Sequence, residues 1–278
     1  LERGLEALPG GPERSWYRVD HPDLGPLGLF PELGRRGIRS TRGCYDPGVD
    51  RRYRRWLDGL DALRAAGLPV EHALDLMAVR FLFAAAPGAD GQRSTRLAED
   101  MYLVERNNPP PRFRFVGEGR AVDAEEAWWR LLLDPAGRPP DPRRSVTLST
   151  AEEPAPIVSP GAAGAVRLLC DEPGRIELEV TASGPGYLVA SELLLPGWSA
   201  SLGGAPARLL RADLLFQAVR LEKAGTFRVA LRHRPPGAGA SRALVLLGLA
   251  LGLGLAVQRQ GSKSARPSSP ARDMPARS

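Results

Sequence analysis

Hydrophobic positions alternate most regularly between residues 145 and 236. Arg175–Ala182 (RIELEVTA) places Ile176, Leu178, Val180 and Ala182 on one face, with charged and polar residues on the other. Gly225–Arg232 repeats the pattern with Phe227, Val229 and Leu231. In the run before it, Leu215, Gln217, Val219 and Leu221 share one face, and Phe216, Ala218 and Arg220 share the other. Half-buried strands at this spacing, separated by Pro and Gly, predict an antiparallel β-sandwich over 145–237. Within it, Tyr187–Leu195 reads as a strand that Pro196-Gly197 turns. Trp198–Leu202 reads as the next strand, and Gly203-Gly204 as a two-residue hairpin turn with the chain continuing as strand through Leu210.

Residues 1–144 mix two periods. Val49, Tyr53, Trp56, Leu57, Leu60 and Leu63 recur at helical spacing after Asp46-Pro47, which fits an N-cap followed by proline at the first helical position. Gly67 ends that helix, and Pro69 opens a shorter one through Leu76. Val79–Ala84, Tyr102–Glu105 and Arg112–Val116 read as strands. Asp123 with Glu126 forms a capping box for a helix through Leu133. The fold class expected is α+β: a mixed α/β layer (1–144), an antiparallel β-sandwich (145–237), then one C-terminal transmembrane helix.

That helix is read from Ala243–Val257 (ALVLLGLALGLGLAV), fifteen residues without a polar side chain. At 1.5 Å per residue it is about 22 Å long, and extension into 238–258 brings it close to the ~30 Å of a hydrocarbon core. Arg242 can snorkel at its end. The tail 259–278 carries Arg259, Lys263, Arg266, Arg272 and Arg277 against Asp273, so the positive-inside rule makes it a disordered, basic, cytoplasmic tail. The main domain is then extracytoplasmic. A domain exported without its own signal sequence needs an upstream membrane segment. With the start at Leu1, this leads us to expect a native protein that begins earlier. Gly248 and Gly252 form a GxxxG that either supports helix packing or reflects the chain's 31 glycines.

The formal charge of +6 suggests nucleic acid, but only Lys223 and Lys263 are lysines, and the arginines are interleaved with acids instead of clustered. Nucleic-acid binding is therefore not expected. Two cysteines without a CxxC and three scattered histidines (His21, His72, His233) argue against a metal site, and no cofactor is implied. Cys44 and Cys170 either pair in an oxidising compartment or remain two thiols.

Candidate chemistry is sparse. Arg51, Arg52, Arg54 and Arg55, with Tyr53 and Trp56 between them, make the one dense basic group. They form either a solvated helix face or a contact for anionic headgroups or a lipid-linked phosphate. Trp198 either packs at a sandwich corner or stacks a sugar. Asp20, Asp23, Glu32, Asp46 and Asp50 could supply a base for a soluble enzyme, but spacing does not show that they converge. No catalytic residue is assigned.

The stretch Tyr187–Pro236 resembles the C-terminal extracytoplasmic domain of the YfhO family of bacterial membrane proteins. The elements that carry the resemblance are Pro196-Gly197-Trp198, the Gly203-Gly204 hairpin (Asp-Gly in the family pattern), Arg211-Ala212 through Val219, Gly225, and Arg234-Pro235 before the membrane run. Arg42-Gly43-Cys44-Tyr45-Asp46, Leu74-Asp75-Leu76 with Val79-Arg80-Phe81, and Tyr102–Glu105 with Pro111-Arg112 extend it over most of 30–257. The resemblance implies a polytopic GT-C-type glycosyltransferase of the cell membrane. Such a protein would move sugar from a polyprenyl-phosphate carrier to an envelope glycan acceptor. In that architecture the catalytic acid sits on an early loop between membrane helices, which this chain does not contain. The expected role is therefore a non-catalytic C-terminal portion, partnered by the bilayer and by N-terminal membrane helices of the same protein. The alternative is a stand-alone membrane-tethered binding or assembly module.

Overall fold

The computed structural model describes residues 18–20, 50–99, 101–133 and 139–236. The expected membrane helix at 238–258 and the tail at 259–278 lie outside them. Among the described residues no helix is long and apolar enough to cross a membrane.

The described chain is mostly β, with three sheets and three helices. Helix α1 (Arg51–Ala65) starts at Asp50, not Asp46. The Asp50 carboxylate accepts the Arg52 amide at 2.7 Å, which satisfies a donor that the helix itself leaves free. Asp46 lies outside the described residues. Gly67, at φ +68°, ends the helix as expected. Helices α2 (Glu71–Leu76) and α3 (Glu125–Leu133) complete the set.

A six-stranded sheet forms the centre. Its strands are β5 (Phe113–Val116), β6 (Glu118–Val122), β7 (Ser145–Ser149), β10 (Gly186–Ala190), β13 (Leu209–Ala212) and β14 (Phe216–Leu221), in the order β5-β10-β14-β13-β7-β6. One face carries Phe113, Phe115, Leu188, Ala190, Val219 and Leu221. These pack on Ile176, Leu178, Val180, Ala200, Val229 and Leu231 from a second, five-stranded sheet. That sheet comprises β8 (Gly164–Glu172), β9 (Arg175–Ala182), β11 (Trp198–Leu202), β12 (Ala205–Ala207) and β15 (Gly225–His233). The two sheets meet as a β-sandwich. The opposite face of the central sheet, with Val146, Leu148, Tyr187, Val189, Phe216 and Ala218, packs on Trp56 and Leu60 of α1, Leu74 and Leu76 of α2, and Trp128 and Trp129 of α3. A third sheet, in the order β1-β2-β4-β3, is built from β1 (Arg18–Asp20), β2 (Val79–Ala84), β3 (Arg93–Ala98) and β4 (Met101–Glu105).

Three features differ from the pattern reading. Strands β5 and β6 precede residue 145 yet belong to the central sheet, so strand pairing such as Leu188 opposite Phe115 crosses the expected 144/145 division. The sheets are not wholly antiparallel. β6 pairs with β7 in parallel, and α3 provides the crossover that such a pair requires; β1 also pairs with β2 in parallel. Strand β10 ends at Ala190, well short of Leu195. The Gly203-Gly204 turn does have both residues at positive φ, +59° and +88°, as a type I′ hairpin requires.

One buried ion pair links these layers. Arg114 of β5 meets Asp213, in the β13–β14 turn, at 3.2 Å. The other Asp213 oxygen accepts the Thr147 amide and hydroxyl, each at 2.9 Å, and the Trp128 indole donates to the same hydroxyl. Arg114 also donates to Pro142 O at 2.7 Å and to the Ser191 hydroxyl at 3.0 Å, and that hydroxyl donates to Leu76 O at 2.7 Å. Burial pushes the Asp213 carboxyl up and the Arg114 guanidinium down, while their mutual attraction opposes both shifts. In the same turn Asp213 and Leu214 adopt φ 46° and 68°, which costs a non-glycine residue about 1 kcal/mol or more. Asp213→Ala leaves Arg114 buried without its counter-charge and should cost about 3–5 kcal/mol in urea unfolding. A loss below ~1 kcal/mol would show that the pair does not hold the layers together.

Candidate functional site

One group of titratable side chains lies where α2 meets the loops around Asn108 and Asp141. Asp75 receives Arg106 at 2.8 Å and Arg143 at 3.4 Å. Arg106 also donates to Val79 O at 2.8 Å and Glu71 O at 3.1 Å, and Arg143 donates to Asn108 O. Asn108 adopts φ 45°, a left-handed conformation that asparagine tolerates. His72, one helical turn before Asp75, has a buried Nε2 with no hydrogen-bond partner among the described residues. Burial holds its pKa down at about 4; Asp75 and Asp141 oppose the shift and Arg114 adds to it. A neutral imidazole with this pKa is a poor proton acceptor at pH 7. The guanidinium donors here bind backbone carbonyls and Asp75, so the group ties loops to α2.

A second cluster surrounds Arg112, which is 0% exposed. Its guanidinium meets Asp171 at 2.8 and 3.2 Å and Glu192 at 2.5 Å. Glu192 also receives Arg18 at 2.7 Å. Burial works against the Arg112 charge, but Glu192 and Asp171 outweigh it, so its pKa is raised. A guanidinium fork shared between two carboxylates fixes the geometry of β5, β8 and the chain after β10. Neither cluster was expected from the sequence, because their members lie far apart along the chain: 59 residues separate Arg112 from Asp171.

The described residues among those the sequence singles out do not converge. Arg52 pairs with Glu125 at 2.9 Å, and Arg55 pairs with Glu126 at 3.0 Å while lying 4.6 Å over the Trp129 ring. Two members of the basic group are thus matched by acids of α3. Arg51 and Arg54 are exposed. Trp198 opens β11, half-buried against the sandwich core, its ring 5.1 Å from that of His233. Asp20 is fully buried and paired with Arg64 at 2.5 Å, and Asp50 caps α1. Asp23, Glu32 and Asp46 lie outside the described residues, as does Cys44; Cys170 forms no disulfide among the described residues. Among the described residues, no group of His, Cys, Asp and Glu could hold a metal ion.

No family model, curated protein or solved structure matches the chain.

His72 gives this region a pH dependence. The unfolded chain protonates His72 near 6.5, the folded chain near 4. Between those values only the unfolded state takes up the proton, so stability falls as pH drops through the window and levels off below it. The loss attributable to His72 should reach about 3 kcal/mol. Urea midpoints measured from pH 7 to 4.5 should fall less steeply for His72→Gln than for the parent. Identical slopes would contradict the assignment.

Proposed function

We propose that this chain is the extracytoplasmic C-terminal portion, with the last membrane helix, of a polytopic glycosyltransferase-like protein of the bacterial cell envelope. In this reading it carries no transfer chemistry of its own. The observation that carries the proposal is the sequence Ala243–Val257, fifteen uncharged apolar residues that begin ten residues after the closing strand β15. A basic tail follows, which orients the run with the domain outside.

Two further observations support it. Strand β10, the Pro196-Gly197 turn, β11, the Gly203-Gly204 hairpin, β14 and β15 follow one another in the order expected from the YfhO resemblance. The described acids closest to the candidate clusters also have structural partners: Asp20, Asp75, Asp171, Glu192 and Asp213 each pair with arginine. A polyprenyl-phosphate-linked sugar and a glycan acceptor are the partners of the whole protein in this reading. This domain contributes a folded platform beside the bilayer.

Extraction tests the membrane part directly. The chain should stay in the membrane pellet through 1 M salt and alkaline carbonate, and deletion of residues 243–257 should release it. Release of the intact chain by salt alone would overturn the reading.

A further inference from the structure

The outward face of the five-stranded sheet concentrates guanidinium groups at one end. Glu177 of β9 is only 8% exposed in its side chain. It receives Arg175 at 2.7 Å and Arg228 at 2.7 Å, and Arg232 stands 4.0 Å away. Hydrogen bonds from Arg228 and Arg175 hold the Glu177 carboxyl down at about 2, so it stays ionised. Arg175 also approaches Glu172 at 3.6 Å. Three arginines thus share one carboxylate whose acceptor sites cannot satisfy them all, since each guanidinium carries five donors in a planar fork. Their side chains remain 47%, 68% and 54% exposed. The surplus is positive charge presented to solvent in a form suited to bidentate contact with phosphate.

The same end of the sheet carries an aromatic pair. Trp198 pairs in register with His233, their rings 5.1 Å apart, and the imidazole Nε2 lies 3.1 Å from Pro196 O. Tryptophan beside exposed arginine is the side-chain mix that favours a membrane–water interface. Along the sequence, His233 closes β15 and Ala243 begins the apolar run ten residues later.

We propose that the His233 end of the five-stranded sheet rests on the headgroup layer of the membrane. Arg175, Arg228 and Arg232 contact anionic lipid phosphates there, and Trp198 lies at the interface. This inference rests on the membrane reading given above and adds to it the lipid class and the surface that meets it. Thr226 lies seven residues before His233 on β15, about 24 Å along the strand toward the opposite end of the sheet.

The test uses the full chain in lipid nanodiscs. A fluorophore is attached at Ser199→Cys or at Thr226→Cys, each in a Cys44→Ser, Cys170→Ser background. Ser199 and Thr226 are both exposed, and Ser199 pairs in register with Arg232. Headgroup spin-labelled lipid supplies the quencher. With one third phosphatidylglycerol in phosphatidylcholine, quenching at 199 should exceed that at 226 at least threefold. The difference should shrink in phosphatidylcholine alone and with Arg232→Gln, which removes only a 4.0 Å approach to Glu177 and whose melting should match the parent. Equal quenching at the two positions, or no response to phosphatidylglycerol, would overturn the inference while leaving the membrane reading intact. Quenching absent at 199, with the arginines instead required to bind a soluble acidic glycan, would assign the surface to glycan and overturn it likewise. Loss of the chain from the discs in carbonate would sink the membrane reading itself.

Discussion

The Arg114–Asp213 pair is excluded from water at the point where β5, α3, β7, the end of α2 and the β13–β14 turn meet. Two isolated charges could not stay there, because desolvation costs several kcal/mol per ion. The surrounding donors and acceptors make the position tenable: Thr147, Ser191 and Pro142 O fill the remaining hydrogen-bonding sites. The helical layer therefore docks on the central sheet in one arrangement, since displacing α3 or α2 would uncover a charge. Hydrophobic contacts across the same interface, led by Trp56, Trp128, Tyr187 and Phe216, supply the larger driving force but specify position less strictly.

Much of the sandwich was legible in the chain because its strands alternate. The faces read for Arg175–Ala182 and Gly225–Arg232 are those that enter the core, and Val79–Ala84 coincides with β2. The element boundaries were harder. β8 carries a bulge between Leu168 and Cys170, which breaks its period. Arg93–Ala98 is a polar edge strand with little apolar signal. The 187–195 run kept its hydrophobic character past Ala190, but Ser191 bonds to Leu76 O and Glu192 turns to Arg112 and Arg18, so the ladder ends there. Strand pairing across residue 144 could not be read at all, because local periodicity carries no information about distant partners.

The candidate clusters were invisible for the same reason. Arg114 and Asp213 are 99 residues apart, and nothing in the spacing of either marks the other. Among the residues that stand out locally, Arg52 and Arg55 pair with glutamates of α3, and Trp198 lies against His233 and the sandwich core. Local density identifies surfaces, whereas burial and convergence identify sites, and here the convergent groups serve the fold.

The central claim is that this folded region serves a larger membrane protein whose transfer chemistry lies elsewhere. The mass of the native protein in its host tests it most directly, by immunoblot of membrane fractions with an antibody against Tyr187–Pro236. The account predicts a membrane-bound band several times heavier than the 29.9 kDa of this chain. A single band at the chain's own mass would contradict it.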